Sequence, residues 1–436
     1  MSNEIFGLVA LVALFGIIFI GFPIAFTLGA VALGAGFIAY GPMVFDLAVL
    51  QTFSVMKDTV LASIPFFLFM GFLLEQSGLM ERMFTGIQQL LAGLRGSLYL
   101  AVLITATIFA AATGIVGSSV TLLGVMAGPA MIKSGYDTRM SAGAIAAGGT
   151  LGILIPPSVM LIVMGPVVGI PATDLFAAAV IPGLLLSTIF TAWCLVRCWI
   201  NPALGPALPP EMRATSMMAV VKDLVIGVVP VIVVIIATLG VILMGIATPT
   251  DAGAVGCAAV FILTLLSRRM TFAKIRRSAF QTLEVSSMIL MLVTASNLFG
   301  AVFSRLGSAE YLASLLTSLA LPPTLMLIVI LGLIFVLGWP LEWVPIVLIV
   351  VPIVLPIVQA LNIDLIWFCT LVAMTLQTAW LSPPVALSAY FLKGVVPQWE
   401  LKQIYSGMVQ FMILQLVGVG LVLAFPKLAT WMVTVN

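Results

Sequence analysis

The sequence predicts an all-α polytopic membrane protein that is built from two related halves, and three observations support this fold class. Of the 436 residues, 63% are hydrophobic and only 7% are charged, whereas soluble domains carry roughly 25% charged residues. Apolar runs long enough to cross a bilayer core of ~30 Å, such as residues 224–244, recur along the whole chain. Helix-breaking prolines also recur at one distance: Pro129 is matched by Pro356, and Pro156-Pro157 by Pro383-Pro384, 227 residues later.

The distribution of basic residues predicts how the halves are oriented. The densest basic stretch lies at residues 268–277, and the positive-inside rule places it in the cytoplasm. Between the start of the first unit, near Leu61, and that of the second, near Met288, the apolar runs cross the bilayer an odd number of times. The second unit is therefore expected to be inverted relative to the first, about an axis in the membrane plane.

These patterns divide the chain into four parts. Each repeat is expected to contain a re-entrant hairpin followed by a helix that is broken in its middle. The parts are N-terminal scaffold helices at 1–60, the first repeat at 61–200 (hairpin about 98–132, broken helix about 140–165), a cytoplasmic loop with connecting scaffold helices at 201–287, and the second repeat with a C-terminal helix at 288–436 (hairpin about 323–361, broken helix about 365–392).

In each repeat, the sequence predicts that helical structure is interrupted at two segments. The hairpin tips are Ala112–Ser119 and Gly338–Pro345, and the mid-helix breaks are Gly148–Ser158 and Gln377–Pro384. Freed backbone groups cost several kcal/mol each in lipid, so such segments are tolerated only inside protein or beside a wet cavity. Unwound carbonyls beside hydroxyls suit a small alkali cation, and inward helix N-termini favour an anion. Matched breaks of this kind are typical of secondary transporters.

Few polar side chains in the apolar runs invite a functional interpretation. Glu342 stands at the second tip, where it either contacts a cation or holds the tip. Asn297 either hydrogen-bonds a neighbouring helix or lines the site. Asp137 and Asp364 each precede a broken helix and are expected to be N-caps. The chain has no histidine, so Ser118 and Ser119 lack the usual base, and an enzyme is not expected.

Several segments resemble one family of known transporters. These are Gly117-Ser118-Ser119, Gly135-Tyr136-Asp137, the run Gly149–Ser158 and the pair Gly338 and Glu342. In this order they resemble the large membrane subunit of tripartite ATP-independent periplasmic (TRAP) transporters over essentially the whole chain. Trp339-Pro340 between Gly338 and Glu342 is less typical. Gln377-Thr378 resembles the branch associated with 2-oxoacids and other monocarboxylates rather than the sialic-acid branch.

The resemblance implies a transport mechanism and partners. Such subunits are elevator-type transporters of the bacterial inner membrane, in which a mobile domain slides against a static scaffold within the lipid bilayer. It implies uptake of an organic anion, which would be a 2-oxoacid, another monocarboxylate or a C4-dicarboxylate. Na⁺ would be the coupling ion, and no covalently bound cofactor is expected. A periplasmic binding protein would deliver the substrate, and a small membrane subunit of about four helices would be a separate chain. No nucleic-acid partner is expected.

The resemblance also assigns candidate residues by motif. One sodium site would use Ser118, Ser119, Thr150 and Gly152, and the mirror site would use Glu342, Gln377, Thr378 and Ser382. The substrate carboxylate would lie near Ser118, Asn297 and Thr378. The alternative is a proton-coupled carboxylate carrier. It needs a titrating group near the midplane, and Glu342 is its candidate.

Overall fold

The computed structural model describes residues 2–214, 216–266, 270–319, 321–383 and 386–435, and in these ranges every regular element is helical. Helices satisfy their own backbone groups, which lipid cannot do. The first ten α-helices described are α1 (Asn3–Ile20), α2 (Ile24–Tyr40), α3 (Met43–Lys57), α4 (Ser63–Gln76), α5 (Leu79–Leu90), α6 (Ser97–Thr113), α7 (Val116–Lys133), α8 (Thr138–Thr150), α9 (Val159–Val168) and α10 (Ala172–Ile200). Those that follow are α11 (Met217–Ile235), α12 (Val241–Leu243), α13 (Pro249–Leu266), α14 (Phe272–Arg305), α15 (Ser308–Thr317), α16 (Pro323–Gly338), α17 (Trp343–Pro345), α18 (Val351–Ala360), α19 (Leu365–Gln377), α20 (Leu387–Val395), α21 (Leu401–Ala424) and α22 (Lys427–Val435).

Within the described ranges, eight helical spans are long and apolar enough to cross a bilayer. They are α1, α7, α10, α11–α12, α13, α14, α17–α18 and α21, and the pair α4–α5, bent by 58°, passes as a ninth. Large apolar side chains point outward on these helices; Ile20, for example, is 74% exposed. Soluble monomers rarely expose apolar surface on this scale. The prediction of an all-α, multi-pass membrane protein is confirmed.

The helix boundaries show the same 227-residue offset as the sequence. The paired elements are α8 and α19, whose starts and ends both differ by 227 residues, and the 3₁₀ turns Leu151–Ile153 and Thr378–Trp380 that follow them. Before each broken helix the chain turns through one residue with positive φ, Gly135 (70°) or Asn362 (51°). Glycine and asparagine are the residues that tolerate this conformation best. The repeat therefore extends to the local backbone of these segments.

The expected caps of the two broken helices are present. A carboxylate oxygen of Asp137 accepts from the Met140 backbone N–H at 2.8 Å, and Asp364 accepts from the Trp367 N–H at 2.8 Å. Each bond satisfies one of the amide groups that a helix start leaves free. The prediction that both aspartates are N-caps is confirmed.

The bends that precede the two hairpins do not keep the 227-residue offset. In the sequence, Ser77-x-Leu79 and Ser304-x-Leu306 are also 227 residues apart. In the structure the α4–α5 bend turns at Gly78 (φ 71°), and the equivalent α14–α15 bend turns at Gly307 (φ 74°). Ser304 lies inside the last turn of α14. The bends therefore lie two residues off the offset that these motifs share, because a left-handed glycine fixes where each helix pair turns.

The helices form two packed groups. In one, α14 packs on α2, α3 and α4, while α13 packs on α4 and α11 on α5; in the other, α8 packs on α7 and α21, and α10 on α19, α21 and α22. The α8–α21 crossing is close: a Cβ on Gly407 would lie 1.8 Å from the Arg139 carbonyl oxygen, and one on Gly143 would lie 2.7 Å from the Gly407 oxygen. In lipid no hydrophobic effect drives helices together, so they associate through close dispersion contacts. Small residues at a crossing allow the two backbones to approach closely enough for these contacts.

Candidate functional site

Both hairpin tips and both broken helices meet at one cavity of about 150 Å³. The first tip and the first break line one side, the second tip and Trp380 line another, and α4 and α14 close the rest. The lining residues are Leu68, Gly114, Ile115, Val116, Gly117, Ile153, Ser158, Val159, Met160, Val285, Met288, Ile289, Glu342, Trp343, Val344 and Trp380. The irregular backbone of the two repeats therefore surrounds a cavity, which is where membrane proteins tolerate it.

The first tip rests on the first break through backbone alone. Gly114 (φ 62°) ends α6, and a Cβ at this position would lie 2.6 Å from the Pro157 carbonyl oxygen. A Cβ on Gly152 would lie 3.4 Å from the Ile115 nitrogen. Glycine is required at Gly114 by both the left-handed backbone and the close approach. Pro156 and Pro157 lie in the non-helical segment between Ile153 and α9.

Two helix N-termini face this cavity. α7 begins at Val116 and its N-cap residue, Ile115, provides no side-chain cap. α9 begins at Val159, and the hydroxyl of the preceding Ser158 donates to the Ile153 carbonyl oxygen instead of capping the helix. The free amide groups and the positive dipole ends of helices favour a bound anion.

The second tip encloses a smaller space. Residues 338–342 form a cavity of about 30 Å³ with Ala379, Trp380 and Leu387. A cavity needs only about 10–15 Å³ of this volume to hold one water molecule, so this one is large enough for a single small ion. Glu342 lines both cavities and is an exposed residue. Pro383 lies within the second break, and Pro384 lies outside the described residues.

The residues expected at the first sodium site point in different directions. The Ser119 hydroxyl donates to the Ile115 carbonyl oxygen at 2.6 Å, and the Thr150 hydroxyl donates to the Ala147 oxygen at 2.8 Å. The Ser118 hydroxyl lies beside the carboxyl group of Glu75 on α4. Gly152 is brought against the first tip, as described above. The tip and the break are thus adjacent, while the hydroxyl of Ser118 faces α4.

Three of the residues expected at the mirror site, Gln377, Thr378 and Ser382, lie at the second break, while Glu342 lies on the second tip. The Gln377 side-chain nitrogen donates to the Thr150 hydroxyl oxygen at 3.0 Å. The side-chain carbonyl oxygen of Gln377 has no hydrogen-bond partner among the described residues. The Thr378 hydroxyl donates to the Thr375 oxygen at 2.5 Å, and the Ser382 hydroxyl donates to the Thr378 oxygen at 2.8 Å. Hydroxyl, amide and carboxylate oxygens are the donors that hard cations prefer.

The expected substrate residues do not line the main cavity. Ser118 follows the lining residue Gly117, and Thr378 is buried two residues before the lining residue Trp380. Asn297 is half-buried on α14. It lies eight residues beyond the lining residue Ile289, or about 12 Å along the helix at ~1.5 Å per residue.

Sequence reasoning missed the α14 wall of the cavity. Val285, Met288 and Ile289 come from an apolar run, and nothing in their residue types distinguishes a cavity wall from a lipid-facing surface. It also missed Glu75 as a neighbour of the first tip, although a carboxylate in an apolar run is a signal in itself.

Comparison with known proteins places the chain among transport components. The family profile described as "Tripartite ATP-independent periplasmic transporter, DctM component" matches residues 11–428. The chain is 29% identical over 408 residues to the C4-dicarboxylate TRAP transporter large permease protein DctM of Rhodobacter capsulatus, covering 90% of this chain and 89% of that protein. It is 29% identical over 396 residues to the 2,3-diketo-L-gulonate TRAP transporter large permease protein YiaN of Escherichia coli, covering 89% and 90%.

Among solved structures, the fold is similar to that of the YdaH transporter of Alcanivorax borkumensis. The TM-score is 0.60, and the match covers 87% of each chain at 14% sequence identity. This likeness concerns the fold alone. The family profile and the relatives, by contrast, span almost the whole chain, and the profile includes both tips and all helices from α2 to α21.

Proposed function

The chain belongs to the family of DctM components of tripartite ATP-independent periplasmic transporters, and we propose that it carries a small organic anion inward together with Na⁺. It is a transporter permease subunit and not an enzyme. As a multi-pass protein of the bacterial inner membrane, it has lipid as its surrounding solvent. The relatives named above are described as permeases for C4-dicarboxylate and for 2,3-diketo-L-gulonate, which supports an organic acid as substrate.

One observation supports sodium coupling most directly. Glu342 lines the cavity between the two tips, and none of the described residues that line this cavity is basic. A substrate carboxylate there would meet the negative charge of Glu342. Two like charges 4 Å apart repel by about 4 kcal/mol at an effective dielectric constant of 20. A bound cation between the groups would replace this repulsion with attraction, so the substrate would bind only after the ion.

The ion sites we propose follow the two tip–break contacts. The first would use oxygens of Ser118, Ser119, Thr150 and Gly152; the second would use Glu342, Gln377, Thr378 and Ser382. In the second, Glu342 lines the small cavity between residues 338–342 and Ala379. The side-chain carbonyl oxygen of the buried Gln377 is an acceptor with no hydrogen-bond partner among the described residues. An ion at either site would hold a tip on its break and thereby close the cavity over the substrate.

We further propose an elevator movement and two partners. The group of helices with both tips and both breaks would slide against the group built on α4, α13 and α14. The word tripartite in the family description supports two further components. They would be a small membrane subunit of about four helices, as a separate chain, and a periplasmic protein that delivers the anion.

A proton-coupled carrier is the second candidate, and one observation favours it. Glu342 is the single ionisable side chain among the described residues that line the cavity between the tips. Protonation would remove the same repulsion that Na⁺ would offset.

Reconstituted transport distinguishes the two. The chain, its small partner and the cognate binding protein are assayed in proteoliposomes with labelled carboxylates, under an inward sodium gradient or an inward proton gradient alone. Uptake with the sodium gradient alone is the expected result. Uptake that requires the proton gradient and ignores sodium would transfer the coupling to Glu342 and overturn the sodium proposal.

A further inference from the structure

A carboxylate on α4 meets a hydroxyl of the first tip, and this contact joins the two packed groups of helices. Glu75 is half-buried near the end of α4, and the Ser118 hydroxyl, in the first turn of α7, lies beside its carboxyl group. Arg277 on α14 is close enough for its positive charge to act on the same group. The Oε2 atom of Glu75 is buried and has no hydrogen-bond partner among the described residues. A carboxylate is costly in an apolar helix, and such groups mark functional positions in membrane proteins.

The first tip is seated on α4 one turn before Glu75. A Cβ on Gly71 would lie 2.9 Å from the Thr113 carbonyl oxygen and 3.1 Å from the Cδ1 atom of Ile115. Thr113 is the last residue of α6, and Ile115 is the residue before α7. A residue without a side chain lets the helix and the tip approach this closely. The Glu75–Ser118 contact therefore lies beside a tight contact between the two groups of helices.

Two cavities lie along the same three helices, on either side of the Glu75–Ser118 contact. The main cavity is lined by Leu68 of α4, Gly117 of α7 and Val285 of α14. A second cavity, of about 360 Å³, is displaced from it towards the end of α4 and the start of α14, and Glu75 itself contributes to its wall. The residues that line this second cavity are Glu75, Gln76, Gly78, Glu81, Leu122 and Lys274.

The second cavity lies on the side that the positive-inside rule assigns to the cytoplasm. Lys274 belongs to the basic stretch at residues 268–277, and its Nζ atom donates to the Gln76 carbonyl oxygen at 3.0 Å. From Leu68 to Glu75 the distance along α4 is about 10 Å, at ~1.5 Å per residue. An ion that leaves the first tip in this direction would pass the Glu75 carboxylate.

The Ser118 hydroxyl faces α4, whereas the first proposed ion site lies between the tip and the break. Gly152 of the break lies against the tip, since a Cβ at this position would be 3.4 Å from the Ile115 nitrogen. To coordinate an ion there, the Ser118 side chain must turn from Glu75 towards the break. Rotation about one side-chain torsion, between staggered positions, redirects a serine hydroxyl. Glu75 and a bound ion would thus compete for one oxygen.

We propose that Glu75 is a positioning residue that competes with sodium for the Ser118 hydroxyl. This inference rests on the proposed function and adds a residue to the first of its ion sites. When Glu75 holds Ser118, the first site lacks one ligand and binds sodium more weakly. The apparent affinity falls with the fraction of the protein in which Ser118 faces the ion site. The carboxylate thereby favours release of the ion on the cytoplasmic side, where Glu75 lines the second cavity.

Sodium binding to the purified complex of this chain with its small membrane subunit tests the competition. The melting temperature is recorded against sodium chloride, with choline chloride keeping the ionic strength constant, and gives the half-saturating sodium concentration. We expect Glu75→Gln to lower that concentration about three- to tenfold, which is the effect of weakening one hydrogen bond. Glu75→Asp should act in the same direction, because it keeps the charge but shortens the reach to Ser118 by one methylene. Glu81→Gln removes a carboxylate from the same second cavity and, as the control, should leave the sodium response unchanged.

A double variant separates competition from a direct effect of the Glu75 charge. Ser118→Ala removes the proposed ligand and should raise the half-saturating sodium concentration about threefold or more. Glu75→Gln should have no further effect in the Ser118→Ala protein, because Glu75 acts only through Ser118. A carboxylate that attracts the ion directly would instead weaken sodium binding when neutralised, with or without Ser118.

The outcomes separate this inference from the proposed function. If sodium stabilises the parent protein while Glu75→Gln and Glu75→Asp bind sodium equally well or more weakly, the competition is overturned and sodium-coupled transport stands. An effect of Glu75→Gln that persists in the Ser118→Ala protein would also overturn the competition, since the carboxylate would then act on the ion without Ser118. A parent protein that sodium neither stabilises nor drives in uptake would overturn the proposed function itself, and the inference with it.

Discussion

Gln377 and Thr150 occupy the same position in the two repeats, 227 residues apart, and they are hydrogen-bonded to each other at 3.0 Å. Each is the last residue of its helix before the 3₁₀ turn of the break. Both side chains are fully buried. The two breaks therefore meet at this bond, and under the proposed function it would couple one ion site to the other.

Breaking this bond should weaken the response to sodium. We expect Gln377→Leu to raise the half-saturating sodium concentration about three- to tenfold, since a net hydrogen bond contributes about 0.5–1.5 kcal/mol. Thr150→Val should act similarly, and the double variant should add less than the sum of the two. Sodium titrations of uptake measure all three. Thr370→Val, which loses only a bond to the Ile366 oxygen of its own helix, is the control, and strictly additive effects would contradict the coupling.

Removing the charge at the second tip should change the sodium dependence of uptake and not its proton dependence. Glu342→Gln keeps the shape of the side chain, and we expect it to raise the half-saturating sodium concentration at least tenfold, because interactions with charged groups contribute about 1.5–3 kcal/mol. Uptake under separate ion gradients is the measurement, with the exposed Glu310→Gln on α15 as control. Unchanged sodium dependence together with lost proton-driven uptake would support the proton-coupled carrier instead.

The first tip should tolerate no side chain at Gly114. Gly114→Ala introduces a left-handed alanine, which costs about 1–2 kcal/mol, and also a methyl group 2.6 Å from the Pro157 oxygen. Gly169→Ala has the same backbone cost (φ 76°) but open space around the new methyl group, so it isolates the contact. We expect Gly114→Ala to lower the melting temperature more than Gly169→Ala and to abolish most uptake. Equal effects of the two variants would show that the tip–break contact is unimportant.

The N-caps of the broken helices should matter for stability in the same way in both repeats. Asp137→Ala and Asp364→Ala each remove an acceptor for a helix-start amide, at a cost of about 0.5–2 kcal/mol. Both should lower the melting temperature by a few degrees, whereas Asp137→Asn and Asp364→Asn should stay near the parent protein because asparagine caps equally well. Thermal unfolding of the four variants tests this. Asparagine variants as unstable as the alanine variants would contradict a capping role.

Features with a local physical cause could be predicted from the sequence. Pro156, Asp137 and Asp364 mark a break or a cap through their own backbone chemistry, and their spacing alone indicated the repeat. The bend at Gly307 lies two residues off the offset of the matching serines Ser77 and Ser304, because the left-handed glycine and not the serine fixes where the helix pair turns. Met288 could not be assigned, since an apolar residue in an apolar helix shows the same pattern whether it faces lipid or a cavity.

The backbone contact between Gly114 and Pro157 makes the tip–break junction sensitive to substitution in a way that the cavity wall is not. The tip–break junction depends on glycine and main-chain atoms, while the cavity wall is made of exchangeable side chains such as Val285 and Met288. Under the proposed function, substitutions in the wall would change which ligand the cavity accepts without disturbing the junction. Under the same proposal, substrate selectivity could change through substitutions in the wall while the junction, and with it the transport mechanism, stays the same.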